Sequence, residues 1–367
     1  MAEAVWINRS DLTDMMINEE AMPLLADNAI RLRIESFSVT ANNVTYAVAG
    51  DAFGYWNFFP AGDGFGVVPM WGHAVVEASN HAEFAKGERI YGYLPMGTHL
   101  DVIPDRVSPG GFIDASPHRQ PMSPIYNQYS RLAADPEHDP AREDERMIFA
   151  PLFKTGWLIE YMFRSQDWFG AENLIMTSAS SKTSMGLASC AAQSAPHIRR
   201  IGMTSPANVE FVTASGLYDD VIAYDNVAAL PQLPSVSVDF AGNAALLAAI
   251  HSALGEYLKY SCLVGATHVD ARGGGGGSGG GTGGGTRNLT NPAPILFFAP
   301  DHAVAAIKEL GPKSFGEAVA KSWHGFLSAL KGSVTIDQRP GLDAAAQAFQ
   351  SIYKNTADPS VGIVVRP

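Results

Sequence analysis

The sequence predicts an α/β protein of two domains, a small barrel or sandwich of short strands followed by a doubly wound parallel sheet. Three observations carry this. The 367 residues exceed one ordinary core and suit two. Strand-like runs broken by Gly and Pro fill the early part of the chain. From residue 171 onward, apolar strands alternate with helices of about 10–15 residues, the pattern of a parallel sheet covered by helices on both faces.

The first clear strand lies in IRLRIESFSVTANNVTYAVAG (residues 30–50), with Ile30, Leu32, Ile34 and Phe37 as inward candidates before the run turns polar. In the following GFGVVPMWGHAVVEASNHAEFAKGERIYGYLPMG, Ala74–Glu77 and Arg89–Tyr93 read most clearly as strands. The aromatic stretch FGYWNFFPAGDGFG (53–66) is a candidate pocket wall or plain core. Residues 104–150 are Pro-rich and irregular, and AADPEHDPAREDERM within them is charged enough to be a solvated loop or short helix. An amphipathic helix then runs from Phe149 to near Gly170.

The sheet follows in order. AENLIMTSAS is a strand and KTSMGLASCAAQ a helix of small residues. HIRRIGMTSP is the next strand, ANVEFVTASGL the next helix, and DDVIAYDNV a short strand. SVSVDFAGN, the helix AALLAAIHSALGEYL, and the strands SCLVGATH and ILFFAP complete the pattern. Between those last strands, GGGGGSGGGTGGGT (273–286) has flexible-linker composition and is expected to be a disordered loop without chemistry. Then AVAAIKELGPKSFGEAVAKSWHGFLSAL is helical, and the tail reads as a helix, a turn and a final strand.

Composition removes several function classes. The net charge is −12, from 25 basic and 37 acidic residues, and an acidic surface repels nucleic-acid phosphates. The first residues have no basic and apolar leader, so no signal peptide is expected. No apolar run reaches the roughly 18 residues of a membrane span, and a cytoplasmic location is expected. The two cysteines, Cys190 and Cys262, sit in apolar runs and read as buried thiols; their number excludes a disulfide framework or a four-cysteine zinc lobe.

The order of elements, together with SASSKTSMGLA (178–188), YNQY (126–129) and FFAPD (297–301), resembles the medium-chain dehydrogenase/reductase superfamily. The similarity is to its zinc-free quinone and enoyl reductase branch, and most nearly to a bacterial family of unknown function with a Ser-Ala-Ser-Ser-Lys-Thr turn. It spans nearly the whole chain. KGERIYGY resembles the family's Gly-Asp-Arg-Val-x-Gly stretch, and VDFAGN its Asp-x-x-Gly strand end. VGIVV resembles its Gly-Lys-Val-Val return, with Ile363 in place of Lys. The resemblance implies a GroES-like substrate and catalytic domain over residues 1–150. It implies a Rossmann nucleotide-binding domain over 151–330 that contains the glycine loop, a C-terminal return over 331–367, and a ligand cleft between the domains. It also implies a possible homodimer, with ILFFAP as a candidate sheet edge.

Site residues follow from the same resemblance. The phosphate turn has Ser178, Ser181 and Ser184 where related quinone reductases carry glycine, and Ser180, Lys182 and Thr183 complete the candidate phosphate ligands. A helix N-terminus offers amides and a positive dipole to phosphate there, and serine hydroxyls can donate to its oxygens; the bland alternative is a turn whose hydroxyls only cap the helix. After the second strand, Thr204 and Ser205 stand where NAD enzymes place an acid, and Arg200 is nearby, so NADP(H) is expected over NAD(H). Gly265 matches the glycine near the nicotinamide.

For catalysis, Tyr46 is the candidate donor to a developing oxyanion or carbanion, with Asn43 positioning substrate or ribose and Tyr126 a further candidate. His118, Arg119 and Tyr129 are candidate substrate ligands, the first two suited to a carboxylate or phosphate. His73 in Trp-Gly-His-Ala resembles the Gly-His-Glu of zinc relatives, but Asn43 stands where their cysteine does, and a catalytic zinc needs three protein ligands, so no metal is expected. The implied function is NADPH-dependent reduction of a ketone or activated C=C bond of a small organic substrate. The alternatives are a lyase or hydratase acting on a ketone in the same cleft, and a non-catalytic nucleotide or small-molecule sensor.

Overall fold

A computed structural model describes residues 1–264, 289, 291–330 and 334–367. The glycine tract 273–286 and Gly265 lie outside the described residues. The chain divides into two compact units, one of residues Met1–Ile148 with Thr335–Pro367 and one of Phe149–Val334. No helix among the described residues is long and apolar enough to cross a membrane.

The first unit is built on antiparallel strands, apart from the parallel pair Thr335–Pro340 and Val361–Arg366. In its large sheet, Thr335–Pro340, Val361–Arg366, Ile30–Val39, Pro69–Ser79, Arg89–Pro95, Gln128–Arg131, Gly111–Asp114 and Pro104–Ser108 lie side by side in that order, and His99–Val102 also pairs with Ile30–Val39. Ile30, Leu32, Ile34 and Phe37 all enter the core. The pairing register shifts between Ile34 and Ser36, which lets Phe37 join residues that strict alternation would have left on the opposite face.

Several elements differ from expectation. The N-terminal hairpin Ala2–Asn8 and Asp11–Glu20 was not foreseen, because Asp11–Glu20 is polar and mostly exposed and so carries no apolar alternation. The polar end of the 30–50 run, left unassigned by its pattern, forms the helix Ala41–Val48. The irregular 104–150 stretch contains three strands of four or five residues, too short for periodicity to register. Its charged part opens the helix Glu143–Ser165, where Glu143, Asp144 and Glu145 sit in the first turn and suit the positive end of the helix dipole. The strand Thr335–Pro340 is a further addition.

The second unit carries a six-stranded parallel sheet in the order Asp220–Ala223, Arg199–Thr204, Asn173–Met176, Ser235–Asp239, Leu258–Val264, Ile295–Phe297. In chain order this is 3-2-1-4-5-6, the doubly wound Rossmann arrangement, whose strand order reverses between Asn173–Met176 and Ser235–Asp239. Ile295–Phe297 is an edge strand with Ile295 and Leu296 exposed. The helical run after it is split into Ala299–Leu310 and Pro312–Ala329 by Gly311, whose φ of 81° ends the first helix. Gly186 lets the helix Lys182–Ser194 approach closely: a Cβ there would meet the Cα of Phe153 at 3.0 Å.

Candidate functional site

In the first unit, the strand Ile30–Val39 hands over to the helix Ala41–Val48 through a capping box. Thr40 donates its N–H to Asn43 Oδ1 at 2.6 Å and its hydroxyl to the same oxygen at 3.1 Å. The amide nitrogen of Asn43 donates to the Pro69 carbonyl at 2.8 Å. Asn43 is therefore buried with its amide bonded to protein at both ends, and it fixes the helix start against the strand Pro69–Ser79.

That fixation sets Tyr46, one turn further on. The Tyr46 ring is buried, and its hydroxyl oxygen accepts from Asn42 Nδ2 at 2.5 Å and from Trp71 Nε1 at 3.1 Å. Burial pushes its ionisation well above the usual tyrosine range, reinforced by Tyr55 and opposed by the hydrogen bonds it accepts. Around it stand Tyr55, Tyr93 and Tyr126, with ring centres 4.6, 5.5 and 6.1 Å away. The Tyr55 and Tyr126 hydroxyls are 3.1 Å apart, and Trp71 packs on Tyr93 at 5.0 Å. Two of the sequence candidates, Tyr46 and Tyr126, thus share one aromatic cluster.

The other candidates in this unit have different places. Arg119 is fully buried and bonded on all three nitrogens: Nε to Asn127 Oδ1, Nη1 to Asp114 Oδ2 and the Tyr129 hydroxyl, Nη2 to the Tyr126 carbonyl. Tyr129 in turn donates to the Tyr93 carbonyl at 2.6 Å. Arg119 and Tyr129 therefore tie the 114–129 segment to the strand that carries Tyr93. His118 is exposed, with Nε2 3.2 Å from the Phe58 carbonyl oxygen. Sequence reasoning missed Trp71 and Tyr93 as parts of the cluster. The signal was present: Trp71 with His73, and Tyr91 with Tyr93, are spaced by two on paired strands and share a sheet face.

In the second unit, the first strand is followed by Thr177, whose hydroxyl donates to Asp239 Oδ1 at 2.6 Å and accepts from the amides of Phe240 and Ala241. This ties together the strand ends where the sheet order reverses. Ser178 follows with φ 47°, a left-handed conformation that glycine adopts without cost. Its N–H donates to the Tyr224 hydroxyl at 2.9 Å, and its carbonyl accepts from Ser181. Ser181 caps the helix Lys182–Ser194 by accepting the Ser184 N–H at 3.3 Å. Tyr218 donates to the Ala179 carbonyl at 2.7 Å, so the Ser184 hydroxyl, 2.9 Å away, donates to Tyr218. Ser180 accepts from Asn208, while Lys182 and Thr183 are half-buried in the first helical turn.

Thr204 is buried at the end of the second strand, and Ser205 follows, half-buried. Arg200, expected near the ribose, is held by Asp219 through Nε at 2.8 Å and Nη2 at 2.6 Å. Tyr218 and Tyr224 are the residues of this turn that sequence reasoning missed. Among the described residues, no group of three His, Cys, Asp or Glu side chains could hold a metal ion.

The family model described as "Protein of unknown function (DUF2855)" matches residues 37–358, and the chain belongs to that family. No curated protein matches it. Solved structures share the fold over the full length. CurA from Vibrio vulnificus is 15% identical with a TM-score of 0.61, covering 100% of this chain and 98% of its own. A probable oxidoreductase from Mycobacterium abscessus is 13% identical with a TM-score of 0.59, covering 100% and 99%. The yhdH oxidoreductase from Salmonella enterica, solved with NADP, is 12% identical with a TM-score of 0.54, covering 100% of both chains. CurA has also been solved with NADPH, at 14% identity and a TM-score of 0.61, covering 99% of this chain and 98% of its own. The chain shares the fold of these solved structures, and its second unit has the Rossmann strand order.

Proposed function

We propose that this member of a family of unknown function is an NADPH-dependent reductase of a ketone or activated C=C bond, working without zinc. The observation that carries the reading is the hydroxyl of Tyr46. Two N–H donors, from Asn42 and Trp71, occupy its oxygen, so its own proton is left to be donated. A buried donor of this kind, held on a capped helix, suits an oxygen or carbon that gains negative charge. Asn43 and Arg119 act as positioning residues, the first for the helix of Tyr46 and the second for the segment of Tyr126.

The cofactor reading rests on the serine-rich turn. Its helix N-terminus, the hydroxyls of Ser178, Ser180, Ser181 and Thr183, and the Lys182 ammonium suit a pyrophosphate. Thr204 and Ser205, the candidates for the ribose end, carry no carboxylate that would repel a 2′-phosphate. Two proteins of this fold, CurA and yhdH, were solved with NADPH and NADP. When bound, the cofactor supplies hydride; the protein supplies placement and the proton donor.

The test is a titration with NADPH and with NADH followed by tryptophan fluorescence, then NADPH consumption against a panel of ketones and enones. Tight NADPH binding with weak NADH binding and turnover of at least one compound is the expected result. A preference for NADH removes the NADP(H) assignment, and binding of neither coenzyme removes the reductase assignment.

A further inference from the structure

Buried polar side-chain atoms nearly always find a partner, and exceptions that gather in one place ask for a guest. Six such atoms gather on one sheet face of the first unit: His73 Nδ1 and Nε2, Tyr91 Oη, Tyr93 Oη, and Arg146 Nε and Nη1. His73 and Tyr93 are fully buried, and Tyr91 and Arg146 are 4% and 2% exposed. His73 faces Tyr91 across the paired strands Pro69–Ser79 and Arg89–Pro95, with ring centres 5.1 Å apart. The Arg146 guanidinium lies 4.1 Å from the centre of the Tyr91 ring and gives Nη2 to Asp135. The ring face serves the guanidinium charge but supplies no lone pair to its other N–H groups, and nothing at all to His73.

We infer that His73, Tyr91 and Arg146 form a second subsite that takes an oxygen-acceptor group of the substrate, so that the substrate is a ketone or enone carrying a second carbonyl or a carboxylate. The donor inventory requires an acceptor. Arg146 offers three N–H groups, one on Nε and two on Nη1, and Tyr91 one O–H. Burial, with Arg146 beside it, lowers the pKa of His73 to about 3, so its ring is neutral and adds one further N–H. Of the carboxylates nearby, Asp135 is engaged with Arg146 and Glu143 with Arg89 and His138, and Glu137 is a third that acts on Tyr91. One guanidinium accommodating two carboxylates has a precedent in this unit, since Arg89 holds both Glu35 and Glu143.

The spacing links the subsite to the reacting end, and here the inference rests on the role proposed for Tyr46. Tyr91 and Tyr93 are two residues apart on one strand, about 7 Å. Tyr93 packs against Tyr46 at 5.5 Å. A short carbon chain bearing an oxygen function at each end spans that distance. Trp71 is half-buried and stacks on Tyr91 at 5.8 Å.

The experiment measures binding of levulinate, acetonylacetone and methyl butyl ketone to the full chain by calorimetry, and NADPH consumption with each. The proteins are the unsubstituted chain, Tyr91→Phe and Arg146→Lys. The expected result is at least tenfold tighter binding of levulinate or acetonylacetone than of methyl butyl ketone, with the difference lost in Tyr91→Phe and reduced in Arg146→Lys. A levulinate preference identifies a carboxylate guest, and an acetonylacetone preference a carbonyl guest. Equal affinity for all three compounds, no binding of any, or a preference that survives both substitutions overturns the inference. If Tyr91→Phe abolishes a real preference while no compound is reduced, the subsite stands and the reductase reading falls. If all three are reduced with equal affinity, the reductase reading stands and the subsite falls.

Discussion

The indole Nε1 of Trp71 donates to the hydroxyl oxygen of Tyr46 at 3.1 Å, joining a strand residue to a helix residue 25 positions earlier. With Asn42 donating to the same oxygen, the direction of the Tyr46 proton is set by the protein before any substrate arrives. Tyr46→Phe is expected to lower kcat with a ketone or enone by about a hundredfold or more, the usual contribution of a general acid, with NADPH affinity unchanged. Trp71→Phe removes one hydrogen bond to Tyr46 and is expected to lower kcat by about tenfold. Steady-state NADPH consumption and a fluorescence titration check both.

Thr177 and Asp239 make the corresponding link in the second unit, a buried hydrogen bond of 2.6 Å between the ends of neighbouring parallel strands. Thr177→Val removes the donor to a buried carboxylate and the acceptor for two amides. The expected loss is about 2–3 kcal/mol in urea unfolding, with weaker NADPH binding because the adjoining turn loses its anchor.

Ser178 adopts a left-handed φ of 47° with a side chain that gains nothing from it sterically. Ser178→Gly relieves that strain, partly offset by the greater entropy of glycine in the unfolded chain, and is expected to stabilise the protein by about 1 kcal/mol. If the Ser178 hydroxyl contributes to phosphate binding, NADPH affinity falls while the melting temperature rises, so the two readouts separate fold from function.

His73 gives a pH dependence whose sign is fixed by burial. Desolvation, then Arg146, lowers its pKa in the folded protein from 6.5 to about 3. The unfolded chain therefore binds a proton that the folded chain refuses between those values. Stability from this group is complete above about 6.5 and declines as the pH falls toward about 3. Chemical denaturation between those limits should show a shallower decline in His73→Leu than in the unsubstituted chain; equal slopes would mean the ring is not refused its proton.

Local patterns carried much of the fold into view. Alternation at Ile30, Leu32 and Ile34 marks a half-buried strand because side chains on a strand alternate faces whatever the partner. The alternation of strands and helices after residue 171 implies a parallel sheet because parallel neighbours need crossover connections. The serine turn was legible for the same reason, since it lies where a strand must give way to a helix. The short strands at 104–131 were not, because four residues hold too little periodicity to stand out from a loop.

The sequence by itself determined the class of each unit, the order of the parallel sheet's elements, and the candidacy of Tyr46, Tyr126 and Ser178. Tertiary structure alone decided which of these meet. Tyr46 and Tyr126 are 80 positions apart, yet their rings come within 6.1 Å. Arg119, whose sequence context suggests an anion ligand, is bonded on every nitrogen inside the protein. His73, whose context suggests a vestigial metal ligand, lies beside Arg146 with neither ring nitrogen bonded. The physical reason is range: backbone periodicity is set by neighbours along the chain, whereas a side chain's partners, burial and proton affinity are set by whatever distant segment folds against it.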